Sequence, residues 1–274
     1  VYVTNNTIDG NGRAGIYADI YGADVSITGN LITDNDLSGL SLMASNNATP
    51  NRSTVFTVRN NVIKDNESGV ILGAESWYGH PSKPQQGGCD TSNVSPPSTH
   101  QVLIDDNSIV GSGSVNISLD QWYASNSTFS AIQSCFEGKV SITNNRIHDN
   151  GSESTDSVIW IHSFDDSTNT VTLDNNSIYN NQGTNTLFIP NTHGRITESS
   201  NHSITGNNFS GNNTTYDVRH ADTYQSGETP LFLNNNWWGS TDNTEIQTKV
   251  FDWNNDVSYN FIDYTPFLTA PNTT

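Results

Sequence analysis

The stretch VSITNNRIHDN, residues 140–150, contains the pattern that decides the fold. It reads apolar, any, apolar, any two, asparagine, any, apolar, and the same phrase occurs eight times along the chain. Self-similarity of this kind is typical of repeat proteins, in which each copy is one unit and neighbouring units share a core. The sequence therefore predicts a single solenoid. The copies begin at Val1, Val25, Phe56, Val102, Val140, Val171, His202 and Leu231.

Each copy predicts a short strand, because apolar first and third residues alternate with an outward-facing residue. A second strand is expected after each phrase, for example at residues 39–42, 69–72 and 115–119. No copy contains a ten-residue amphipathic stripe, so helices cannot connect the strands. Strands that pair in parallel with their own copies, about 4.8 Å apart, give an all-β, single-stranded, right-handed parallel β-helix of about eight coils.

An asparagine stands at the sixth position of every copy. A corner between strands leaves buried backbone groups that need partners. An Asn can take left-handed backbone angles there, and its amide can bond the Asn of the coils above and below. The general preference of Asn for turns does not explain one fixed position. We therefore expect an inward ladder formed by Asn6, Asn30, Asn61, Asn107, Asn145, Asn176, Asn207 and Asn236.

The spacing between these asparagines is uneven, so some coils carry long loops. The two largest insertions fall at residues 73–101 and 120–139, in adjacent coils. We expect both loops to leave the solenoid on one flank and to form a side lobe. Residues 1–240 would then form the β-helix, and residues 241–274 a C-terminal capping segment and tail.

The composition is strongly acidic, with 28 Asp and Glu against 10 Lys and Arg and a net charge of −18. Nucleic acids and anionic membranes bind basic patches, so neither is expected as a partner. No apolar run approaches the ~18 residues of a membrane span, which predicts no membrane insertion. The chain begins at Val1 rather than Met, which is consistent with removal of a leader peptide.

The two cysteines, Cys89 and Cys135, fall one in each predicted long loop. Adjacent coils would bring these loops together, so we expect a disulfide, with two buried free thiols as the alternative. A disulfide implies an oxidising compartment. Together with many Asn-x-Ser/Thr sequons it predicts an extracellular or cell-surface glycoprotein. The glycosylation candidates are Asn47, Asn51, Asn66, Asn93, Asn126, Asn150 and Asn213.

The end of the chain departs from the repeat. Asn236-Trp-Trp-Gly239, then Ile246, Val250 and Asp252, and finally the stretch TyrThrProPheLeu at residues 264–268, resemble the closing element of cell-surface β-helix proteins. Over essentially its whole length the chain resembles the NosD-like and pectin-lyase-like superfamily of parallel β-helix proteins. This resemblance implies the fold but no one activity, because the superfamily contains lyases, epimerases, hydrolases and non-catalytic surface proteins.

A repeated acid-x-Trp-Tyr motif is the best candidate for a carbohydrate site. Trp77-Tyr78 and Trp122-Tyr123 would follow the second strands of neighbouring coils and stack on sugar rings. Carboxylates near this shelf would act as acid and base or bind Ca²⁺, whereas solvated acids beside packed aromatics are the alternative. No pectinase-like motif and no basic cluster for a uronate occurs in the sequence, which favours a non-catalytic role. The catalytic candidates are Glu75, Asp120, His162 and Asp165.

The acidic stretch with Asp252, Asn254 and Asp256 has the alternating oxygen spacing of a Ca²⁺ loop. It lacks the glycine and the distant glutamate of such loops, so a turn in the closing segment is the simpler interpretation. No other metal site and no other cofactor is predicted.

The first copy starts within a repeat, which predicts an uncovered edge in the first coil. We expect an extracellular structural protein whose copies associate end to end in a filament, sheath or stalk. A polysaccharide lyase, epimerase or hydrolase and a glycan-binding adhesin module are the alternatives, with polysaccharide as the partner. A fragment of a multidomain surface protein is also consistent with the sequence. The predicted subunit contacts are Val1, Val3, Trp237, Trp253 and Tyr264.

Overall fold

The computed structural model describes residues 1–20, 22–44, 53–74, 101–113, 129–134, 139–153, 155–161, 170–190, 202–221 and 230–272. Within these ranges the chain is almost entirely β-structure, with one short helix near the C-terminus. Three parallel sheets run along the molecule, and each of the first six coils contributes one strand to each sheet in the order A, B, C.

Sheet A contains the first strand of each repeat phrase. Its strands are in register: Val102 pairs with Phe56 in the preceding coil and with Val140 in the next. The strands of neighbouring coils therefore stay in register even where the connection between them is long. The strands are β1 (Tyr2–Thr4), β4 (Asp24–Thr28), β7 (Val55–Arg59), β10 (Gln101–Asp105), β13 (Lys139–Thr143), β16 (Thr170–Asp174) and β19 (His202–Thr205).

Sheet B follows directly after the asparagine corner and is made of three-residue strands with one inward side chain each. Ile109, for example, pairs with Ile63 and Ile147, and all three are fully buried. The strands are β2 (Thr7–Asp9), β5 (Leu31–Thr33), β8 (Val62–Lys64), β11 (Ser108–Val110), β14 (Arg146–His148) and β17 (Ser177–Tyr179).

Sheet C closes each coil with a longer strand. Its inward positions, such as Leu40, Val70 and Ile159, meet those of sheets A and B in one continuous apolar core. The strands are β3 (Ala14–Ile20), β6 (Ser38–Ala44), β9 (Ser68–Ala74), β12 (Phe129–Ser134), β15 (Ser157–Ile161), β18 (Gln182–Pro190), β20 (Asn213–Ala221) and β22 (Val250–Phe251). The predicted parallel β-helix is confirmed.

The corners have a backbone conformation that differs from the expected one. The left-handed residue is the fifth of each phrase, directly before the ladder asparagine, rather than the sixth. Only Gly, Asn and Asp stand there, which are the residues that tolerate this region best. The φ angles lie between 54° and 71° at Asn5, Gly29, Asn60, Asp106, Asn144, Asn175, Gly206 and Asn235. The sixth residue is thereby left to point its amide inward.

The fourth coil differs from the prediction in its sheet C strand. β12 (Phe129–Ser134) pairs with β9 and β15, whereas residues 115–119 lie outside the described ranges. The predicted loop 120–139 is therefore wrong, since it contains a strand. The long connection of this coil runs from sheet B to sheet C, whereas the preceding one, residues 75–100, runs from sheet C to sheet A. The two insertions consequently leave different corners of the solenoid.

The closing segment contains a helix, α1 (Asn243–Lys249), between β21 (Leu231–Phe232) and β22. Asp242 caps the helix by accepting the Thr244 N–H at 2.8 Å, and a basic Lys249 stands in its last turn, both of which suit the helix dipole. Ile246 is buried against the last coil. β22 is the last strand of sheet C, and the helix packs against β20 and β22.

The final strand, β23 (Ile262–Asp263), pairs in parallel with β21 and begins an incomplete ninth coil. The Leu268 N–H donates to the Asn236 carbonyl at 2.9 Å, a bond that the seventh residue of each earlier phrase makes to the asparagine of the coil before it. By this register Phe267 occupies the ladder position. An apolar ring therefore ends the asparagine ladder.

Candidate functional site: the asparagine ladders and the first-coil face

The sixth-position asparagines form a continuous inward ladder. Asn61 donates its backbone N–H and its side-chain amide to Oδ1 of Asn107, at 2.9 and 3.0 Å, and its Oδ1 accepts the same pair from Asn30. Its Nδ2 also bonds the Ile27 carbonyl at 2.8 Å. Each interior member is thus saturated with partners and almost fully buried. The ladder satisfies the backbone groups that each corner would otherwise leave unpaired.

A second ladder, which the sequence reasoning missed, runs five residues further along each phrase. Asn35 donates to Oδ1 of Asn66 through its backbone N–H at 3.1 Å and its amide at 2.8 Å. Ser112 interrupts this ladder in the fourth coil but still donates its N–H to Asn150. The signal was the recurrent asparagine at the eleventh position of the phrase. The members are Asn11, Asn35, Asn66, Asn150, Asn181 and Asn212.

Both ladders have a direction. Each asparagine donates to the next coil and accepts from the previous one, so the first members, Asn6 and Asn11, donate to Asn30 and Asn35. No donor to the Oδ1 atom of Asn6 or Asn11 occurs among the described residues. The acceptor ends of both ladders therefore lie at the same end of the molecule.

The same end has exposed strand edges. β1, β2 and β3 each pair with one strand of the second coil, and within the described ranges none has a partner on its other side. Val1, Tyr2 and Tyr17 are 64%, 84% and 52% exposed, and Val3 is partly buried. We call residues 1–20 the first-coil face. It combines main-chain edges, two amide acceptors and apolar side chains, which together can bind another β-structure.

The opposite end presents a different surface. Val257 is 70% exposed, and Phe261, 36% exposed, stacks on Trp253 with ring centroids 4.7 Å apart. Tyr264 is 6% exposed and donates its hydroxyl to Gln247 Oε1 at 2.9 Å, so its prediction as a subunit contact is wrong. It points into the last coil because it occupies an inward position of the incomplete ninth phrase. Trp237 and Trp253 are partly exposed.

Two buried ionisable groups lie near this end. Burial raises the pKa of Asp217 to about 7, although Lys249 and hydrogen bonds from Thr186 and Asn212 oppose the shift. Burial, and secondarily the nearby His202, lowers the pKa of His220 to about 4. His220 pairs in register with Ile189, and neither of its ring nitrogens has a hydrogen-bond partner among the described residues. Asp217 is thus protonated and His220 neutral under mildly acidic conditions.

An acidic pair lies on the corner between sheets B and C. Burial, and secondarily the neighbouring Asp36, raises the pKa of Glu67 to about 7. On sheet A the effect is reversed at Asp105: burial raises its pKa, but hydrogen bonds from Asn144, Thr143 and Arg59 outweigh it and leave the pKa below its usual value. Asp105 therefore serves as an acceptor between coils, for Arg59 of the preceding coil and for Thr143 and Asn144 of the next.

The weak calcium candidate has the geometry of a turn. Asp252 is fully buried and accepts the backbone N–H groups of Asn254 at 2.9 Å and Ile262 at 3.1 Å. Asp256 accepts both the N–H and the hydroxyl of Ser258. The carboxylates thus bond the closing segment itself. Over the part of the chain that the structure describes, no three His, Cys, Asp or Glu side chains are grouped as metal ligands.

Two of the predicted glycosylation sites are wrong. Asn66 and Asn150 are 2% and 0% exposed and their Nδ2 atoms bond backbone carbonyls inside the second ladder, so a glycan there is incompatible with the fold. Asn213 is exposed at the start of β20. The remaining sequons, Asn47, Asn51, Asn93 and Asn126, lie outside the described residues.

The predicted carbohydrate site lies outside the described residues. The argument that its two motifs follow equivalent strands of neighbouring coils is nevertheless wrong. Residue 75 directly follows β9, whereas residues 120–123 precede β12, so the two acid-x-Trp-Tyr motifs do not occupy equivalent places. Residue 135 directly follows β12, the neighbour of β9, and the disulfide stays a prediction. The residues concerned are Glu75, Trp77, Tyr78, Cys89, Asp120, Trp122, Tyr123, Cys135, His162 and Asp165.

Comparison with known proteins agrees with this geometry. Residues 1–121 match the family described as a right-handed beta helix region. No curated protein and no solved structure matches the chain. None of the helices in the described ranges has the length and apolar character needed to cross a membrane. From its family match and its three parallel sheets, the chain is a right-handed parallel β-helix repeat protein.

Proposed function

We propose that the protein is an extracellular structural β-helix whose copies associate end to end, in a surface filament, sheath or stalk. The observation that carries the proposal is the distribution of exposed apolar side chains. Among the described residues, three of the large exposed hydrophobic side chains lie in the first coil, three in the last coil and closing segment, and two between them. They are Val1, Tyr2 and Tyr17; Phe232, Val257 and Phe261; and Leu31 and Val62.

The two ends differ, so contact between them is heterologous. A contact of this kind leaves each copy with one unused end and propagates into a fibre if its rotation does not close a ring. The net charge of −18 opposes lateral association of the long sides of the solenoid. End-to-end growth is therefore the mode of association that the surface favours.

The chemistry of the contact follows from the way the solenoid ends. Phe267 and Pro266 stand where a full coil would have an asparagine and its left-handed neighbour, so the main ladder does not continue into the next copy. The second ladder ends at Asn212, because Thr241 stands at its position in the eighth phrase. The first-coil face would instead meet apolar side chains, with Tyr2 and Tyr17 against the Val257 and Phe261 surface. Burial of apolar area at about 25 cal/mol per Å² would supply most of the free energy.

A concentration series in light scattering tests the proposal. The mean particle mass of the intact chain should increase with protein concentration. The Tyr2→Ser variant should need a concentration about tenfold or more higher to reach the same mean mass. Val62→Ser is the matched control, because Val62 is 40% exposed on sheet B, away from both ends. A monomer at every concentration, together with a native N-terminus that extends before Val1 and pairs with β1, would overturn the proposal.

A further inference from the structure

The chain contains two Asn-Gly dipeptides, and the structure places them in opposite environments. Asn11-Gly12 lies at the exposed start of the second ladder, and Asn150-Gly151 lies in its interior. Asparagine followed by glycine is chemically labile, because glycine has no side chain to hinder attack of its amide nitrogen on the asparagine side chain. The two sites share this chemistry and differ in their hydrogen bonds, their burial and their backbone conformation, since Gly151 has a positive φ and Gly12 does not.

The attacking nitrogen is restrained at one site only. Gly151 donates its N–H to the Ser112 carbonyl at 2.8 Å, as Asp36 does to Asn11 at 2.9 Å. The Gly12 N–H has no acceptor among the described residues. This nitrogen is therefore available for reaction without breaking a strand contact.

The side chains under attack differ in the same way. Asn150 accepts the Ser112 N–H at 3.0 Å and donates Nδ2 to the Ile109 carbonyl and to Asn181 Oδ1, both at 3.0 Å. Asn11 is exposed, and within the described ranges its side chain is engaged only through Nδ2, which donates to Asn35 Oδ1 at 2.8 Å. Its Oδ1 has no donor among the described residues and is open to water, which can stabilise the negative charge that develops on it.

We propose that Asn11-Gly12 is a self-modifying site that deamidates in the folded protein, while Asn150-Gly151 is protected. The Gly12 nitrogen loses its proton and bonds Cγ of Asn11; the Cγ–Nδ2 bond breaks and ammonia leaves, giving a cyclic imide. Water then opens the imide at either carbonyl and yields aspartate or isoaspartate at residue 11. The net reaction consumes one water and releases one ammonia.

The product weakens the first coil. An acid at residue 11 removes the Nδ2 donor to Asn35 Oδ1 and brings a carboxylate towards that oxygen, and isoaspartate also lengthens the backbone. A partner strand over the first-coil face would supply an acceptor for the Gly12 N–H and stop the reaction. Deamidation would therefore mark copies that have stayed unassociated, and this part of the inference rests on the proposed end-to-end association.

Peptide mapping by mass spectrometry during incubation at mildly alkaline pH tests the inference. In dilute folded protein, acid should accumulate at residue 11 at least about tenfold faster than at residue 150, because the interior site reacts only after local opening. In urea both should convert at similar rates. Gly12→Ala should slow the reaction at Asn11 and leave the fold intact, since a Cβ at Gly12 meets nothing closer than Asp36 Oδ2 at 3.8 Å.

Equal rates at the two sites in the folded chain, or retention of the Asn11 amide while both sites convert in urea, would overturn the inference. Equal deamidation of Asn11 in dilute and concentrated protein would contradict the end-to-end association and leave the modification site intact. The failures of the two proposals are thus distinguishable.

Discussion

Asn61 and Asn107 are joined through two hydrogen bonds, from the backbone N–H and the side-chain amide of Asn61 to Oδ1 of Asn107, at 2.9 and 3.0 Å. The residues belong to adjacent coils despite the long connection between them, so this pair fixes the register of the solenoid. The same two bonds recur between successive coils along the ladder.

Asn61→Ala should lower the free energy of unfolding by about 3 kcal/mol or more, because it leaves several buried partners without a hydrogen bond at about 1–3 kcal/mol each. Asn6→Ala should cost about 1 kcal/mol, since Asn6 is exposed and only the first coil depends on it. Urea denaturation of the two variants measures the difference. Equal losses would show that the ladder does not stabilise the interior.

The left-handed corner gives a second prediction. Asn60, with φ of 55°, should tolerate Gly better than Ala, because a non-glycine residue without a short polar side chain costs roughly 1–2 kcal/mol in this region. Thermal unfolding of Asn60→Gly and Asn60→Ala compares them. An alanine variant as stable as the glycine variant would contradict the assignment of strain to the fifth position.

The buried ionisable groups predict opposing pH effects. The pKa of Asp217 is raised in the folded chain, so its contribution to stability is present below its ordinary value of 3.8 and is lost as pH rises to about 7. The pKa of His220 is lowered, so its contribution is present above 6.5 and is lost as pH falls to about 4. Over this window the two groups oppose each other.

Single variants separate them. After Asp217→Asn, the slope of stability against pH between 4 and 6.5 should be more positive than in the parent chain, because the contribution that is lost with rising pH is removed. After His220→Leu, which matches the apolar inward positions of neighbouring coils, the slope over the same window should be more negative than in the parent chain. Urea midpoints across the window measure both slopes. A change of slope in the same direction in both variants would contradict the assignment.

Glycosylation provides a further test. In a glycosylating host, Asn213 should be modified, whereas Asn66 and Asn150 should be unmodified in the folded protein because their amide nitrogens are bonded inside the second ladder. Glycopeptide mass spectrometry distinguishes the three sites. A glycan on Asn66 in correctly folded protein would contradict the second ladder.

The disulfide between Cys89 and Cys135 remains a prediction from the sequence. Intact protein should show no reactive thiol before reduction and two afterwards, in a thiol titration under denaturing conditions. Two free thiols in the unreduced protein would remove both the disulfide and the main argument for an oxidising compartment.

The main ladder could be predicted because one position is invariant in all eight phrases. The second ladder was visible in the same phrases, but Ser112 and Thr241 interrupt its pattern. The incomplete ninth coil was hidden because Phe267 and Pro266 replace the two residues that identify a phrase. In each case the coil still forms although the residues that identify the repeat in the sequence are replaced.

The fourth-coil strand could not be predicted for a different reason. Residues 115–119 and 129–134 both alternate like a strand, and local alternation does not reveal which segment pairs with a neighbour. The register with β9 and β15 decides it, and that information is not local. The carbohydrate-site prediction depended on the wrong choice, so its two motifs lost their equivalence.

Negative-stain microscopy of the intact protein tests the proposed association most directly. Sheet C has eight strands, which at about 4.8 Å each give a subunit roughly 40 Å long. The predicted result is unbranched filaments with an axial repeat on the order of 40 Å. The filaments should be shorter in the Tyr2→Ser variant and unchanged in the Val62→Ser variant. Uniform single particles of monomer size at every concentration would contradict end-to-end association.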